Sequence, residues 1–467
     1  MRKIRPVIED ARNFLFRSVY RVDDAITEST FGRRFVRPVK RFLNKSYLGH
    51  RYRKYSPSVF AFAALGFVVI SAGLVYGLDM GNQQVVVDTS SLQSSRQNTK
   101  TPAKQPPIAP QGKAQQNPGG TSSSVTPAAD GAAPAANTHQ FGFSAGDLTE
   151  LSPAELEKRL TDFNTIGVDW VRFDMAWSNV QQGGPTSYDW SDADRVVAAA
   201  NAHGLHMLAI LDYTPSWARP SGCDDYQCAP TDNGKFAAYA AAAVARYKSK
   251  GLKDWEIWNE PNHTGAWLPS PSASGYAGLL KASYAAIKQQ DSNAVVITGG
   301  LAPTYTEDGN IGPADFISSL YKNGARGSFD AVGDHAYSFP ALPSLSEDWT
   351  GWQQMIQVRS IMQTNGDGSK LVWITEYGAP TNGPGAIGTA SNFNFENNPD
   401  HVDEALQAQM ATQAAQLFKS YNWVGPMFWY GYKDLGTDTG SNEDFFGLLR
   451  SDGSKKPAYI AWQQAIQ

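Results

Sequence analysis

Two glutamates in aromatic surroundings are the residues of this chain whose types and spacing could do chemistry. Glu260 lies in WEIWNEPN (255–262), and Glu376 lies in WITEYG (373–378). Apolar walls raise the pKa of a carboxyl group by desolvation, whereas hydrogen bonds and cations lower it. Two acids in unequal surroundings can therefore divide acid–base and nucleophilic work between them. A lone glutamate here would more often be a solvated loop residue, so the hypothesis depends on the pair.

The elements that position the two acids alternate along the chain. From Gln140 on, eight strand-like runs are each followed by a helix-like run, the first helix having Ser152 as N-cap and Pro153 at its first position. This rhythm over about 328 residues predicts an α/β fold, a (β/α)8 TIM barrel. A doubly wound sheet is the alternative, but FGFSAGDLTE (141–150) lacks a Gly-rich phosphate turn after the first strand. The strand-like runs begin at residues 141, 168, 205, 253, 294, 329, 370 and 424.

The predicted barrel places both acids at one end. Functional residues of such barrels lie at the carboxyl ends of the strands. Glu260 follows the fourth predicted strand and Glu376 ends the seventh, so both point into the same mouth. Paired carboxylates across a mouth are what glycosidic bond cleavage requires.

Residues 140–467 resemble the clan of retaining (β/α)8 glycoside hydrolases that carry Asn-Glu after strand four and Glu after strand seven. Within that clan they are most similar to family 39 and neighbouring cellulase-like enzymes. The resemblance implies an O-glycosyl hydrolase whose partner is an oligo- or polysaccharide. The matching segments are VRFDMAW (171–177), WEIWNEPN (255–262), GDHAY (333–337), WITEYGAPT (373–381), FWY (428–430) and KKPAY (455–459).

The resemblance implies a role for each matching residue. Glu260 would be the general acid/base and Glu376 the nucleophile. Asn259 would form a hydrogen bond with the sugar 2-hydroxyl. Arg172, at the end of the second predicted strand, would contact the nucleophile and help to keep it ionised.

Three further matches would complete the site, and one position departs from the pattern. His335 and Tyr337, after strand six, would surround the nucleophile, and Trp429 on the eighth strand would form the aromatic floor of the −1 sugar site. Many members of the clan have a histidine at the end of strand three. This chain has LDYTPSW (211–217) there, so Asp212 or Tyr213 fills that space.

Tryptophans near the strand ends are candidates for stacking on sugar rings, because sugars present flat C–H faces to aromatic groups. Core packing is the equally weighted alternative for each of them. Tryptophans inside the strands are predicted to pack in the barrel. The stacking candidates are Trp177, Trp217, Trp267 and Trp429, and the packing set is Trp170, Trp255 and Trp258.

The remaining chemistry-bearing residues narrow the function. Cys223 and Cys228 lie in one loop, and a disulfide is favoured over free thiols on the oxidising side of a membrane. The seven histidines show no H-x-x-H or H-E-x-x-H spacing, so we expect no metal and no cofactor. The acidic balance after residue 140 argues against nucleic acid binding.

An uncharged run near the N-terminus predicts a membrane anchor. Residues 57–78 contain no charged residue, and at 1.5 Å per residue they span about 33 Å, enough for a bilayer core of about 30 Å. A core helix would not be uncharged on every face, and a cleaved signal peptide would be shorter and end in an A-x-A site. Arg51, Arg53 and Lys54 precede the run, which places the N-terminus in the cytoplasm and residues 140–467 outside the cell.

Two other segments flank this single-pass anchor. Residues 1–56 are basic, with about 15 Lys/Arg against about 5 Asp/Glu, and either lie on anionic lipid or only set the topology. Residues 79–139 are rich in Pro, Ser, Gln and Ala, which predicts a disordered linker. The sequence thus predicts a membrane-anchored retaining glycoside hydrolase acting on an extracellular or cell-envelope polysaccharide. A catalytically silent carbohydrate-binding barrel and a transglycosylase are the alternatives.

Overall fold

Eight parallel strands close into a barrel in the computed structural model, which describes residues 140–389 and 399–467. The predicted (β/α)8 barrel is therefore confirmed. Each strand pairs with the next, and the last pairs with the first. The barrel strands are β1 (Phe141–Ser144), β2 (Trp170–Ala176), β3 (His206–Asp212), β4 (Asp254–Ile257), β5 (Val295–Thr298), β6 (Ala331–His335), β7 (Leu371–Tyr377) and β10 (Val424–Tyr430). Two short strands, β8 (Ala386–Gly388) and β9 (Pro399–Val402), pair in a separate sheet.

Helices follow the strands. The first helix begins as predicted, because the Ser152 side chain accepts from Glu155 N while the Glu155 side chain accepts from Ser152 N. This capping box and Pro153 fix the helix start. The helices of the described residues are α1 (Pro153–Ile166), α2 (Trp177–Val180), α3 (Ser191–Ala202), α4 (Asn233–Tyr247), α5 (Ala273–Gln290), α6 (Pro313–Lys322), α7 (Gly351–Thr364), α8 (Glu404–Ser420) and α9 (Pro457–Ile466).

Two hydrophobic clusters fill the structure. The larger cluster lies between the strands and the surrounding helices, and it contains the fully buried Trp255 and Trp258. The smaller cluster lies inside the barrel and includes Trp170, so the predicted packing of these three tryptophans is confirmed. Because side chains alternate along a strand, the interior cluster shows which residues face inward on the six strands that contribute to it. Its members are Trp170, Leu208, Ile297, Ala331, Trp373 and Phe428.

The predicted basic segment (1–56), anchor (57–78) and linker (79–139) lie outside the described residues, so these three assignments stay predictions. Within the part of the chain that the structure describes, none of the helices has the length and apolar character needed to cross a bilayer.

Candidate active site

The turn that carries Glu260 follows β4 directly. Trp258 and Glu260 have left-handed backbone conformations, with φ of 71° and 48°. Such conformations cost about 1–3 kcal/mol each in residues other than glycine, so the surroundings must hold them. Trp258 Nε1 donates to Ala266 O at 2.9 Å, and Glu260 N donates to Gly300 O at 3.0 Å. The turn brings Glu260 into the mouth, where 25% of its side chain is exposed.

A bulge in β7 aims Glu376 at the same mouth. Strict alternation from the inward-facing Trp373 would turn Glu376 outward. Asp334 of β6 pairs with Ile374, but the next residue, His335, pairs with Glu376. β7 therefore holds one extra residue here, and bulges of this kind often redirect a side chain beside an active site. The extra residue turns Glu376 into the barrel.

Arg172 joins four side chains through its five N–H groups. Nη1 donates to Glu376 Oε1 at 2.6 Å and to Ser144 Oγ at 2.8 Å. Nε and Nη2 donate to Glu256 at 2.6 and 3.1 Å, and Nη2 also donates to Asn259 Oδ1 at 3.0 Å. Burial of Arg172 lowers its pKa, but the charges of Glu256 and Glu376 outweigh burial and raise the pKa well above its usual value. The guanidinium therefore stays charged inside the barrel.

Both oxygens of Glu376 are held. Arg172 contacts one of them, as predicted, although Arg172 is the third residue of β2 and not its last. Tyr337, just after β6, donates from its hydroxyl to Glu376 Oε2 at 2.8 Å. Glu376 is thus held by a cation on one oxygen and by a hydroxyl donor on the other.

His335 lies between the two glutamates. Its Nδ1 is 3.0 Å from Glu260 Oε1 and 3.4 Å from Glu376 Oε2. Burial lowers the pKa of His335, but the charge of Glu376 and the hydrogen bond and charge of Glu260 outweigh it, so the pKa is raised. Each of these three side chains has one atom that could ligate a metal ion, and the three atoms lie within 4.8 Å of one another. A metal cation would fit between these three atoms, but Glu376 already has a positively charged partner in Arg172.

Trp429 does not face the mouth, contrary to the prediction. Its side chain has no exposed area, and its ring packs against Tyr377 of β7 and Trp462 of α9, with centroids 6.0 and 5.4 Å away. The reason is the two-residue alternation of the strand. Phe428 points into the barrel, so Trp429 points out and Tyr430 points in.

Tyr430 is the aromatic residue that the eighth barrel strand offers to the mouth. Its ring centroid lies 6.2 Å from that of Tyr337, and its hydroxyl donates to Glu443 Oε2 at 3.1 Å. The charge of Glu443, burial, and the charges of Glu376 and Glu260 raise the pKa of Tyr430 well above its usual value. Tyr430 therefore lies near both glutamates of the predicted pair.

Two of the other candidate tryptophans are also core residues. Trp177 is fully buried, and Trp267 packs against Trp258 with only 4% of its surface exposed. For these two residues the structure therefore supports core packing, the alternative that the sequence weighed equally with sugar contact. Trp217 is half-buried and donates from Nε1 to Gln181 O at 2.7 Å, so it remains a candidate.

Asp212 ends β3, and Tyr213 is the first residue after it. Asp212 has no exposed area, and neither of its carboxylate oxygens has a hydrogen-bond partner among the described residues. Burial first, and then the charge of Asp174, raise the pKa of Asp212 well above its usual value. Tyr213 is half-buried, and its ring packs against Tyr226 and Trp258. Tyr213 is thus the more accessible of the two.

A disulfide joins Cys223 and Cys228 in the loop between β3 and α4, in the predicted pairing, with Cα atoms 6.4 Å apart. Cys228 also forms an isolated β-bridge with Leu268. This backbone pairing joins the loop after β3 to the loop after β4. The disulfide therefore stiffens one rim of the mouth.

Several polar residues of the site were not predicted. Asp174 and Glu256 stand in apolar strand runs, where an inward charge is a detectable signal of a buried polar network. Ser144 and Glu443 have no such signal, because their contacts with Arg172 and Tyr430 depend on tertiary structure.

The fold and the site define the class of this protein: a (β/α)8 barrel with a pair of carboxylates at its mouth, as used for glycosidic bond cleavage. The family model for cellulase, glycosyl hydrolase family 5, matches residues 132–393. The chain therefore belongs to glycosyl hydrolase family 5. The clan indicated by the sequence is confirmed.

Solved structures support the same fold. A family 39 glycoside hydrolase from Bacteroides cellulosilyticus WH2 is 24% identical with a TM-score of 0.53, and the match covers 70% of this chain and 63% of that one. A GH5_18 protein from Streptomyces cattleya, solved with GlcNAc, is 17% identical with a TM-score of 0.53, covering 71% of this chain and 80% of that one. At these identities the likeness shows the fold alone.

One sequence relative matches only in part. Beta-amylase Tri a 17 from Triticum aestivum is 29% identical over 94 residues, which are 17% of this chain and 19% of the amylase. The chain thus spans about a fifth of that relative and under two thirds of the family 39 structure.

Proposed function

We propose that this chain is a retaining glycoside hydrolase that works by double displacement. The observation that carries the proposal is the spacing of the pair: an oxygen of Glu260 and an oxygen of Glu376 lie within 4.8 Å of each other. Retaining enzymes hold their carboxyl groups about 5–5.5 Å apart, whereas inverting enzymes need about 6.5–9.5 Å to fit a water molecule. The observed spacing suits direct attack by a carboxylate.

Glu376 is the proposed nucleophile because its surroundings suit an anion. Arg172 and Tyr337 each contact one of its oxygens, at 2.6 and 2.8 Å. In the first step Glu376 attacks the anomeric carbon and a covalent glycosyl ester forms, while the leaving oxygen takes a proton. In the second step water hydrolyses the ester and frees Glu376.

Glu260 is the proposed acid and base. It is the more exposed of the pair, with 25% of its side chain exposed against 10% for Glu376, so it can reach the leaving group and then the attacking water. Glu260 protonates the leaving oxygen in the first step and removes a proton from water in the second. The hydrogen bond to His335 at 3.0 Å orients its carboxyl group between the two steps.

Asn259 is placed to bind the sugar. Its Oδ1 accepts from Arg172 Nη2 at 3.0 Å, so the amide orientation is fixed. That contact leaves the Nδ2 group to donate to a substrate hydroxyl. We assign this donor to the sugar 2-hydroxyl, whose hydrogen bonds strengthen in the transition state.

Product stereochemistry tests this mechanism. Proton NMR of early products from an aryl β-glycoside should show the β-anomer first, before mutarotation. An α-anomer at early times would reject the assignment of both glutamates. Sugar binding without turnover across a panel of aryl glycosides would favour a silent carbohydrate-binding barrel. Products longer than the substrate would favour a transglycosylase.

The proposal includes where the enzyme acts. The uncharged run 57–78, with basic residues before it, supports a single membrane anchor and an extracellular domain over 140–467. The substrate is then an oligo- or polysaccharide of the cell envelope or its surroundings. Protease added to intact cells should release a fragment that begins near Gln140. Protection of that fragment until the cells are lysed would overturn the outside-facing placement.

A further inference from the structure

The mouth holds an acid pair that the proposed mechanism does not use. Asp174 and Asp212 lie near the carboxyl ends of the adjacent strands β2 and β3. Trp170 and Leu208 face the barrel interior, so alternation turns Asp174 and Asp212 inward as well. Ala176 pairs with Asp212, which puts the two acids on one inward edge.

Asp174 is the accessible member of this pair. Its side chain is half-buried and forms no hydrogen bond to any residue that the structure describes. Its Oδ2 lies 2.8 Å from the point where a Cβ at Gly146 would stand. Gly146 is exposed, so the absence of a side chain there leaves the carboxylate open to the mouth.

Asp212, the last residue of β3, is the fully buried member of the pair. Both of its oxygens are buried without a hydrogen bond in the described part of the chain. Burying a carboxyl group without a hydrogen-bond partner costs about 1–3 kcal/mol of stability. A bound ligand or a proton on Asp212 would offset this cost. Burial first, and then the charge of Asp174, raise the pKa of Asp212, whereas burial raises the pKa of Asp174 to about 7 although the charge of Arg172 opposes that rise.

The two cationic side chains described at the site, Arg172 and His335, already contact other residues. All five N–H groups of Arg172 donate to Glu256, Glu376, Ser144 and Asn259. His335 lies between the two proposed catalytic glutamates. No ion pair is present at Asp174 or Asp212 among the described residues, so a ligand that brings a cation would complete the edge.

We propose that Asp174, together with Asp212, forms a subsite for the protonated amine of an amino sugar. The proposal rests on the proposed hydrolase function and names its substrate class as a glycan with free amino groups. Asp174 follows Arg172 by two residues on the same inward face, so the amine belongs to a sugar on the nucleophile's side of the scissile bond. A metal ion is disfavoured because the three-ligand cluster found in the described residues is Glu260, His335 and Glu376, without either aspartate.

Binding measured by calorimetry with the full-length protein tests the subsite without requiring turnover. The probes are a glucosamine tetramer and its N-acetylated counterpart at pH 7. We expect the glucosamine tetramer to bind at least tenfold more tightly, with the preference falling as salt rises. Binding of the amine should also release protons, seen as a heat that depends on the buffer, because the acid pair must ionise to receive it. The groups that act on the pair are Arg172, Glu256, Glu376 and Glu150.

Asp174→Asn should reduce the tenfold preference to less than twofold, and the matched exposed change Asp192→Asn should leave it unchanged. Asp212→Asn is the second variant, and it should reduce the proton release.

Equal binding of the two tetramers, or a preference that survives Asp174→Asn, would overturn the subsite. Calcium that competes with the glucosamine tetramer for wild type but not for Asp174→Asn would also overturn it, in favour of a metal site. Retaining hydrolysis of neutral glycosides without amine preference would reject the subsite alone, and amine-selective binding without turnover would reject the hydrolase alone.

Discussion

Glu256 of β4 and Arg172 of β2 form a two-bond ion pair inside the barrel, with Nε–Oε2 at 2.6 Å and Nη2–Oε1 at 3.1 Å. Glu256 has no exposed area, and its Oε1 also accepts from Gly300 N at 2.8 Å. The pair fixes the guanidinium so that Nη1 faces Glu376. The counter-ion of the proposed nucleophile is therefore positioned from β4, the strand that leads into the turn carrying Glu260.

Breaking this pair should harm both stability and turnover. Glu256→Ala should lower the free energy of unfolding by about 3 kcal/mol, because a buried charge loses one of its two counter-ions. It should also lower kcat more than it raises KM, since Arg172 can then rotate away from Glu376. Urea unfolding and steady-state kinetics measure the two effects. The control is Asp194→Ala, which removes a partly exposed pair with Arg246 and should change stability by about 1 kcal/mol or less.

Tyr430 and Trp429 should respond differently to truncation. Tyr430→Ala should raise KM for an aryl glycoside by about three- to tenfold, as expected for loss of an aromatic contact of about 0.5–1.5 kcal/mol. Trp429→Ala should instead lower the free energy of unfolding by about 3–5 kcal/mol, because a fully buried ring is removed. A rise in KM for folded Trp429→Ala without any for Tyr430→Ala would restore the assignment that the sequence suggested.

The fold was predictable because each strand run and helix run has its own signal. Each predicted run begins at the first residue of a barrel strand or at most two residues before it, and Ser152 caps α1 as expected. The Asn259–Glu260 and Glu376 positions were predictable from motif and strand end together. Alternation required Phe428 and Trp429 to face opposite ways, but only the structure shows that Phe428 is the one that faces inward.

Other features depend on tertiary contacts that no local pattern encodes. The extra residue of β7 that turns Glu376 inward is visible only in its pairing with β6. The burial of Trp177 and Trp267 depends on how the loops after β2 and β4 fold back on the helices. The contact between Tyr430 and Glu443 joins a strand to a later loop and has no spacing signature.

Asp254, the first residue of β4, should make the domain less stable as the pH rises. Burial raises its pKa to about 7 from an ordinary 3.8, so the folded state holds a proton that the unfolded state has lost above about pH 4. The stability that the protonated Asp254 carboxyl contributes is complete below pH 4 and is lost as the pH rises from about 4 to about 7. Asp254→Asn should therefore stabilise the domain at pH 8 by about 1–3 kcal/mol and have little effect at pH 4.

Urea unfolding at both pH values measures this difference. The exposed change Asp224→Asn is the control, and it should show the same stability difference between the two pH values as the wild type. A gain in stability from Asp254→Asn that is equal at pH 4 and pH 8 would contradict a titrating role.

The two proposed catalytic glutamates should differ in kind when each is removed. Glu376→Ala should lower kcat by about 10³-fold or more, because no covalent intermediate can form. Azide can occupy the space left by the carboxylate and attack directly, giving a glycosyl azide of inverted configuration. Glu260→Ala should still form the intermediate from a substrate with a good leaving group, because that group departs without a proton. The ester should then persist, since no base activates water, and azide should attack it to give a product of retained configuration.

Mass spectrometry of the trapped protein and NMR of the azide products separate the two outcomes, with the exposed change Glu157→Ala on α1 as the control. A covalent adduct in Glu376→Ala, or an inverted azide product from Glu260→Ala, would exchange the roles of the two residues.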